Sequence, residues 1–188
     1  MSDDEIIGIL KEGFIVIGDK SAVDFLYQKG YGFLKEEKLY LTMVEAAYMV
    51  YRGFIKVKTE DGKNLGFKDL VGMGLRENPD FWTILNVYAD LRNRALIVKP
   101  GIDPLELMVD WKKKNRVRRM LVRIVKEGTR LGFIVFEDMF RRALESGREL
   151  VMAVVDKEGV VSYYLVEGVS RVGPEIVAGI EVRDEQEG

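Results

Sequence analysis

The chain has 188 residues, of which 47% are apolar and 32% are charged, and its net charge is −2. It contains neither cysteine nor histidine, which excludes disulfide bonds and metal sites built on thiolate or imidazole ligands and leaves only hard metals bound by carboxylates possible. We expect no metal and no cofactor. No apolar run approaches the roughly 20 residues of a membrane span, and residues 1–5 are acidic where a signal peptide is basic. These features predict a globular cytoplasmic protein that meets nucleic acid only through local basic patches.

The first elements in the chain alternate between short apolar runs and turn residues. Residues 12–17 have the pattern of a strand, and Ser21 is placed to cap a helix that stops at Gly30. Residues 32–41 predict a hairpin with a charged turn. This order of elements is typical of a small mixed α/β domain.

A second helix is predicted to begin at a capping box formed by Thr42 and Glu45. A strand over residues 54–57 and a polar turn over residues 59–68 follow it. Residues 77–79 contain Asn and Pro and predict a boundary, which divides the chain into an N-terminal domain over 1–77 and a C-terminal domain over 78–188.

The C-terminal half begins with a predicted amphipathic helix from Asp80, whose apolar positions share one face: Phe81, Ile84, Leu85, Tyr88 and Leu91. Apolar runs at 96–99, 105–111 and 120–125 predict strands. A helix over 136–145 and two strands around the turn at 156–159 complete the series. The predicted fold class is α/β of the α+β type, with a mixed C-terminal sheet flanked by two helices.

Two stretches carry a family resemblance. Residues 88–101 read Y-A-D-L-R-N-R-A-L-I-V-K-P-G, and residues 148–166 read R-E-L-V-M-A-V-V-D-K-E-G-V-V-S-Y-Y-L-V. At this separation they resemble the C-terminal nuclease domain of archaeal tRNA-splicing endonucleases. Residues 32–57 are similar to the N-terminal domain of the same family. The resemblance therefore covers most of the chain.

The resemblance implies a catalytic centre whose residues are replaced here. Active members of the family cut RNA without metal, using a Tyr base, a His acid and a Lys that stabilises the charged intermediate. The matching positions are Trp111, Val117 and Arg148. An indole does not act as a base, and no histidine exists to supply the acid. We therefore predict that the chain itself is non-catalytic.

A basic run over residues 112–119 holds six cations in eight positions and is a candidate phosphate-binding segment. Its named candidates are Lys112, Lys113, Lys114 and Arg116. A solvated turn between strands is the alternative interpretation. The resemblance adds Arg141, at the position of an arginine that helps to clamp the bulged nucleotide in the family.

The acidic turn at residues 156–159 is the candidate partner-binding element. In the family this loop inserts carboxylates into a basic pocket of a neighbouring subunit, and Asp156 and Glu158 match it. The final apolar segment adds three candidate interface residues, as the family's last strand does: Val177, Ile180 and Val182.

The sequence thus predicts the structural subunit of a tRNA-splicing endonuclease, assembled with a catalytic subunit as an (αβ)₂ heterotetramer on precursor tRNA. Two alternatives remain open at this point. The first is a metal-dependent nuclease of restriction-enzyme type, in which Asp80, Asp110 and Lys112 would echo a P-D…(D/E)-x-K site. The second is a stand-alone RNA-binding module that uses the basic run.

Overall fold

The computed structural model describes residues 5–114 and 116–168, and in this part of the chain eleven strands form two sheets with five helices. The first half contains β1 (Ile7–Lys11), β2 (Phe14–Ile17), α1 (Lys20–Gln28), β3 (Phe33–Lys35), β4 (Lys38–Leu41), α2 (Met43–Tyr51), β5 (Lys56–Lys58), β6 (Asn64–Leu65) and α3 (Phe67–Glu77). The second half contains α4 (Phe81–Asn93), β7 (Ile97–Pro100), β8 (Glu106–Lys113), β9 (Arg116–Lys126), α5 (Phe133–Glu145), β10 (Glu149–Val155) and β11 (Val161–Val166).

The first sheet has the strand order β3-β4-β2-β1-β5-β6 and buries one face. Strands β2 and β4 alternate: Ile15 and Ile17 on β2, and Leu39 and Leu41 on β4, are fully buried. The residues between them point to the other face, as the two-residue repeat of a strand requires. Helices α1 and α2 cover the buried face of this sheet.

The capping box of α2 is confirmed and also ties the helix to the sheet. Thr42 Oγ1 accepts a hydrogen bond from Glu45 N, and the Glu45 carboxylate accepts from Thr42 N at 2.9 Å. The same carboxylate accepts from Gly32 N at 2.8 Å, in the segment between α1 and β3. Glu45 is only 1% exposed, so its charge is buried but hydrogen-bonded, as a buried carboxylate must be.

Three predicted details in the first half are wrong. The cap of α1 is Asp19 rather than Ser21, because the Asp19 side chain accepts from Ala22 N at 2.8 Å. Residues 12–17 are not one strand, since Glu12 and Gly13 adopt positive φ angles and form the turn between β1 and β2. Residues 59–68 contain β6 and the first turn of α3, where Gly66 N donates to Asp69 Oδ2 at 2.8 Å. The polar composition of residues 59–68 is typical of a turn and does not indicate that α3 begins there.

The second sheet is mixed and has the order β11-β10-β9-β8-β7, with β9 and β10 parallel and the other neighbours antiparallel. The stripe of α4 packs with Val109 and Val122, whereas Met139 and Ala143 of α5 pack with Leu121 and Val125. Because neighbouring strand residues point to opposite sides, the two helices cover opposite faces. The predicted mixed sheet flanked by two helices is confirmed.

One apolar cluster extends from the first sheet through α2 and α4 into the second sheet. Residues 77–79, the predicted domain boundary, contain the last residue of α3 and the first two residues of the link to α4. The division into two independent units stays a prediction. Among the described residues, no helix is long and apolar enough to cross a membrane.

Candidate functional site

Trp111, at the position that the resemblance assigns to the catalytic base, lies on β8 and is partly buried. The register between β8 and β9 is continuous and pairs Trp111 with Arg118. Strand alternation places the indole on the same side of the sheet as Leu107 and Val109, which belong to the core under α4. The residue is therefore a sheet aromatic next to an exposed arginine.

Arg148 lies on the other side of the sheet and is already paired. Its Nη1 donates to Asp110 Oδ1 at 3.0 Å and to the Met120 carbonyl oxygen at 3.4 Å. The Arg148 and Asp110 side chains are 18% and 29% exposed. The guanidinium is therefore held in place by a carboxylate and a carbonyl oxygen of the same chain.

The third position, Val117, is 53% exposed and pairs with Lys112 near the end of the β8–β9 hairpin. By strand alternation it shares a face with Asp110 and Arg148, while Trp111 points to the opposite face. The three positions therefore do not converge on a single pocket in this chain.

The basic run is part of a long hairpin and not a free loop. The strand β8 continues to Lys113 and β9 begins at Arg116, so most of the predicted turn is paired sheet. Lys112, Lys114 and Arg116 are exposed at this end. Arg118 is engaged by both Glu149 carboxylate oxygens at 2.9 Å, which lowers the pKa of Glu149. Arg118 is thus engaged in an ion pair, whereas Lys112, Lys114 and Arg116 at the tip of the hairpin are exposed to solvent.

Arg141 lies on α5 and is exposed. Its guanidinium pairs with Asp138 and, at 3.2 Å, with Glu145 on the same helix. It lies on a different element from the basic run. The structure thus gives Arg141 an intrahelical ion pair of the kind that exposed helix faces commonly carry.

The acidic turn is held in one shape by its own backbone and side chains. Asp156 Oδ1 accepts from Val160 N at 2.8 Å, and Gly159 has a φ of 85°. Asn86 on α4 donates from Nδ2 to the Gly159 carbonyl oxygen at 2.6 Å. Glu158 is exposed. The turn is therefore exposed to solvent and held in one conformation by these hydrogen bonds. The other three candidate interface residues, Val177, Ile180 and Val182, lie outside the described residues.

The carboxylates of the restriction-type alternative do not come together. Asp80 is 2.6 Å from Lys126 Nζ, and Asp110 pairs across the sheet with Arg119. Arg119 and Lys126 stand seven residues apart on β9, which corresponds to about 23 Å along a strand. Over residues 5–114 and 116–168, no group of three or more acidic side chains is arranged to hold a metal ion. The geometry does not support this alternative.

A buried ionic cluster on the α5 side of the second sheet was not predicted from the sequence. Glu106 is 1% exposed and accepts two hydrogen bonds from Arg142, at 2.7 and 3.1 Å. Arg123 Nη1 lies 3.8 Å from the same carboxylate and 2.7 Å from Asp103. The only sequence signal is a charged residue at the start of an apolar strand.

Comparison with known proteins connects this geometry to a family. The model of the tRNA intron endonuclease N-terminal domain matches residues 6–71, and that of the tRNA intron endonuclease catalytic C-terminal domain matches residues 81–163. The tRNA-splicing endonuclease of Pyrococcus abyssi is 35% identical over 161 residues, which cover 82% of this chain and 94% of that protein. The corresponding protein of Thermococcus kodakarensis is 34% identical over 154 residues, covering 80% of this chain and 90% of the relative.

The tRNA-splicing endonuclease of Methanosarcina acetivorans is 30% identical over 164 residues, which cover 86% of this chain but 47% of that longer protein. The matches to these relatives each include most of the described fold, and both family models fall on the two sheets in the expected order. The chain belongs to the tRNA-splicing endonuclease family.

Proposed function

We propose that this chain is the non-catalytic, structural subunit of a tRNA-splicing endonuclease. In this proposal it assembles with a separate catalytic subunit as an (αβ)₂ complex that cleaves bulge-helix-bulge introns in precursor tRNA. The observation that carries the proposal is chemical: the whole sequence contains no histidine, and the resemblance aligns Trp111 with the family's base. General acid–base catalysis contributes typically 10²–10⁴-fold in rate, so a chain without either group retains negligible turnover.

The environment of Arg148 supports the same conclusion. Its guanidinium forms an ion pair with Asp110 at 3.0 Å, so the cation that replaces the family's lysine already has a carboxylate partner within the chain. A subunit in this state contributes shape and assembly contacts to the complex. The partner supplies the acid and the base.

The proposed contact to the partner is the acidic turn with Asp156 and Glu158, together with the segment that contains Val177, Ile180 and Val182. Asn86 and the Asp156 side chain fix the shape of the turn before any partner binds. A pre-formed turn loses little conformational entropy on docking. Carboxylates that enter a basic pocket then determine register and specificity.

The proposal is tested by reconstitution. The chain is purified alone and after co-expression with the catalytic paralogue of the same genome, and each preparation is assayed on a bulge-helix-bulge RNA in EDTA and in Mg²⁺. We expect no cleavage by the chain alone and cleavage by the mixture above that of the paralogue alone. A mixture with no gain in activity contradicts the proposal. Mg²⁺-dependent cleavage by the chain alone that is lost in Asp110→Ala favours the restriction-type alternative.

The acidic turn is tested by substitutions that separate its charge from its shape. Asp156→Asn keeps an oxygen that accepts from Val160 N but removes the charge, and Glu158→Gln does the same at the exposed position. We expect this pair of substitutions to prevent assembly, because unpaired cations left in a buried pocket cost about 3–5 kcal/mol. Light scattering of the mixed subunits measures the assembly.

Asp156→Ala alone is the matched control for the shape of the turn, since it removes both the charge and the hydrogen bond to Val160 N. If the Asn and Gln variant still forms the full complex while Asp156→Ala does not, the turn contributes its shape and the charge-docking proposal is wrong. Circular dichroism of each variant alone checks that the fold is retained.

A further inference from the structure

The outward face of the first sheet carries an aromatic group that no part of the proposed function uses. Phe14 on β2, Phe33 on β3 and Tyr40 on β4 occupy the positions that alternate with the buried core residues, and we refer to these three rings as the aromatic platform. Phe33 is 43% exposed, and none of the three belongs to either apolar cluster. Large aromatic side chains left open on a sheet face indicate a binding surface.

The rings of the aromatic platform lie in mutual contact. Phe33 and Tyr40 are directly opposite each other across β3 and β4, with centroids 5.5 Å apart and ring planes at 20°. Phe14 meets Phe33 edge-on at 5.6 Å. The platform is thus a continuous aromatic patch that spans three neighbouring strands.

Lysines surround the platform on the same face. The strand register places five of them at outward positions: Lys11, Lys35, Lys38, Lys56 and Lys58. The outward positions of the strands hold no acidic residue, and the neighbouring acids Glu12, Glu36 and Glu37 lie in the turns. Lys56 pairs with Glu5, whereas the other four have no carboxylate within 4 Å among residues 5–114 and 116–168.

Two of these lysines are in an unfavourable arrangement for stability alone. Lys35 and Lys38 are directly opposite each other across β3 and β4, and like charges at opposed positions destabilise a strand pair. The Lys35 ammonium also lies 5.9 Å from the centre of the Tyr40 ring. The outward strand positions at this edge of the aromatic platform therefore hold only lysines, and the exposed Glu36 and Glu37 lie in the turn beyond them.

We propose that this face binds single-stranded RNA, with bases stacking on Phe33 and Tyr40 and phosphates contacting Lys11, Lys35 and Lys38. Aromatic rings flanked by cations on an open sheet are the combination that recognises single-stranded nucleic acids, because every base has a flat face and every linkage a negative charge. A second copy of this chain is a less suitable partner, because its lysines on the same face would lie against those of the first copy. An acidic peptide pairs with the lysines but leaves the rings without a stacking partner.

The inference does not depend on the proposed assembly, since the platform lies entirely within the first sheet and is tested on the chain alone. The probe is a fluorescently labelled uridine oligomer of about 12 nucleotides, within the roughly 4–16 nucleotides that sheet platforms of this kind bind. Fluorescence anisotropy in EDTA at several salt concentrations gives both the affinity and its salt dependence.

Two variants separate the stacking from the charge. Phe33→Leu with Tyr40→Leu keeps apolar side chains and removes the rings, and we expect it to weaken binding about tenfold with an unchanged salt slope. Lys35→Gln with Lys38→Gln changes only exposed charges, and we expect the slope of log K against log salt to fall by about 0.7 for each phosphate that is no longer neutralised. The lysine variant keeps the test decisive if the ring variant is unstable.

The matched control is Lys20→Gln with Lys29→Gln, on α1 and at its C-terminal end, which removes the same charge from the helix that covers the opposite face of the sheet. The inference predicts that this control binds as the unaltered chain does. It is wrong if the control weakens binding as much as the platform lysines do, or if loss of the rings has no effect. It is also wrong if polyglutamate displaces the oligomer as effectively as unlabelled RNA.

Discussion

At the scale of single residues, the proposal that the chain is non-catalytic depends on two positions. The resemblance aligns Trp111 with the family's base, and Arg148, aligned with the family's lysine, forms an ion pair with Asp110. The sequence does not show which carboxylate pairs with Arg148. The partner is an aspartate 38 residues away, which only the pairing of β8 with β9 and of β9 with β10 brings into reach.

Arg142 is a single residue on which the stability of the fold depends. We expect Arg142→Ala to lower the free energy of unfolding by about 2–3 kcal/mol, because it leaves the Glu106 carboxylate, 1% exposed, without its two strongest hydrogen bonds. The effect is smaller than for a fully buried pair, since the Arg142 side chain is 35% exposed and Arg123 remains nearby. Urea unfolding measures it.

Arg141→Ala on the same helix is the control for that prediction. Its ion pairs with Asp138 and Glu145 are exposed and screened by solvent, so we expect a much smaller loss of stability than for Arg142→Ala. Equal losses for the two variants would show that the Glu106 cluster has no special role and that only helix charge was altered.

At the scale of elements, the β8–β9 hairpin differs most from its sequence-based interpretation. The apolar pattern predicts that one strand ends at Trp111 and that the next begins at Met120. In the structure, backbone pairing extends to Lys113 on β8 and begins at Arg116 on β9. Charged residues at the end of a hairpin do not need a core to remain paired once the strand register is set. The basic run is therefore displayed on a paired hairpin.

This geometry gives a prediction for RNA binding by the assembled complex. Replacing Lys112, Lys113 and Lys114 by Ala should weaken binding and reduce the slope of log K against log salt by roughly 0.7–0.9 for each phosphate that these lysines neutralise. Lys126→Ala, at the other end of β9 and paired with Asp80, is the control. An unchanged slope in the triple variant would show that the run is solvated surface.

At the scale of the whole molecule, packing brings tyrosines from both halves of the chain into partly or fully buried positions. Burial raises the pKa of Tyr31, of Tyr88 and of Tyr163, and the hydrogen bond from Tyr163 Oη to Asp90 at 2.7 Å raises the pKa of Tyr163 further. Burial lowers the pKa of Lys99. The titration of Lys99 therefore changes the stability with pH in the direction opposite to that of the three tyrosines.

The sign of the resulting pH dependence follows from linkage. A tyrosine whose pKa is higher in the folded protein keeps its proton only in the fold, so its contribution is complete below its ordinary pKa of about 10 and is lost above it. We expect the urea midpoint to fall as the pH rises beyond about 10. Tyr163→Phe should make the fall shallower by less than about 1.4 kcal/mol per pH unit, because solvent screens this partly exposed ring.

Urea titrations at increasing pH, with tyrosinate absorbance as the second signal, measure this dependence. Tyr27→Phe, on the exposed face of α1, is the control because its ring is 48% exposed. A midpoint that is constant above the ordinary tyrosine pKa, or an equal effect of both substitutions, would contradict the assignment of the alkaline loss to the buried tyrosines.

The sequence by itself determined the features that depend on local chemistry. The capping box at Thr42, the apolar stripe of α4 and the absence of histidine follow from residue types at short spacing, where backbone geometry leaves few alternatives. These features were enough to predict the fold class. The prediction that the acid and the base are missing came from the absence of histidine and from the resemblance that aligns Trp111.

The tertiary structure decided which distant residues meet. The Glu106 cluster, the partner of Arg148 and the outward grouping of Phe14, Phe33 and Tyr40 depend on strand order and register. A shift of the strand register by one residue moves a side chain to the opposite face of a sheet. The amino-acid composition does not indicate which register forms. Contacts across the sheets are therefore known only once the chain has folded.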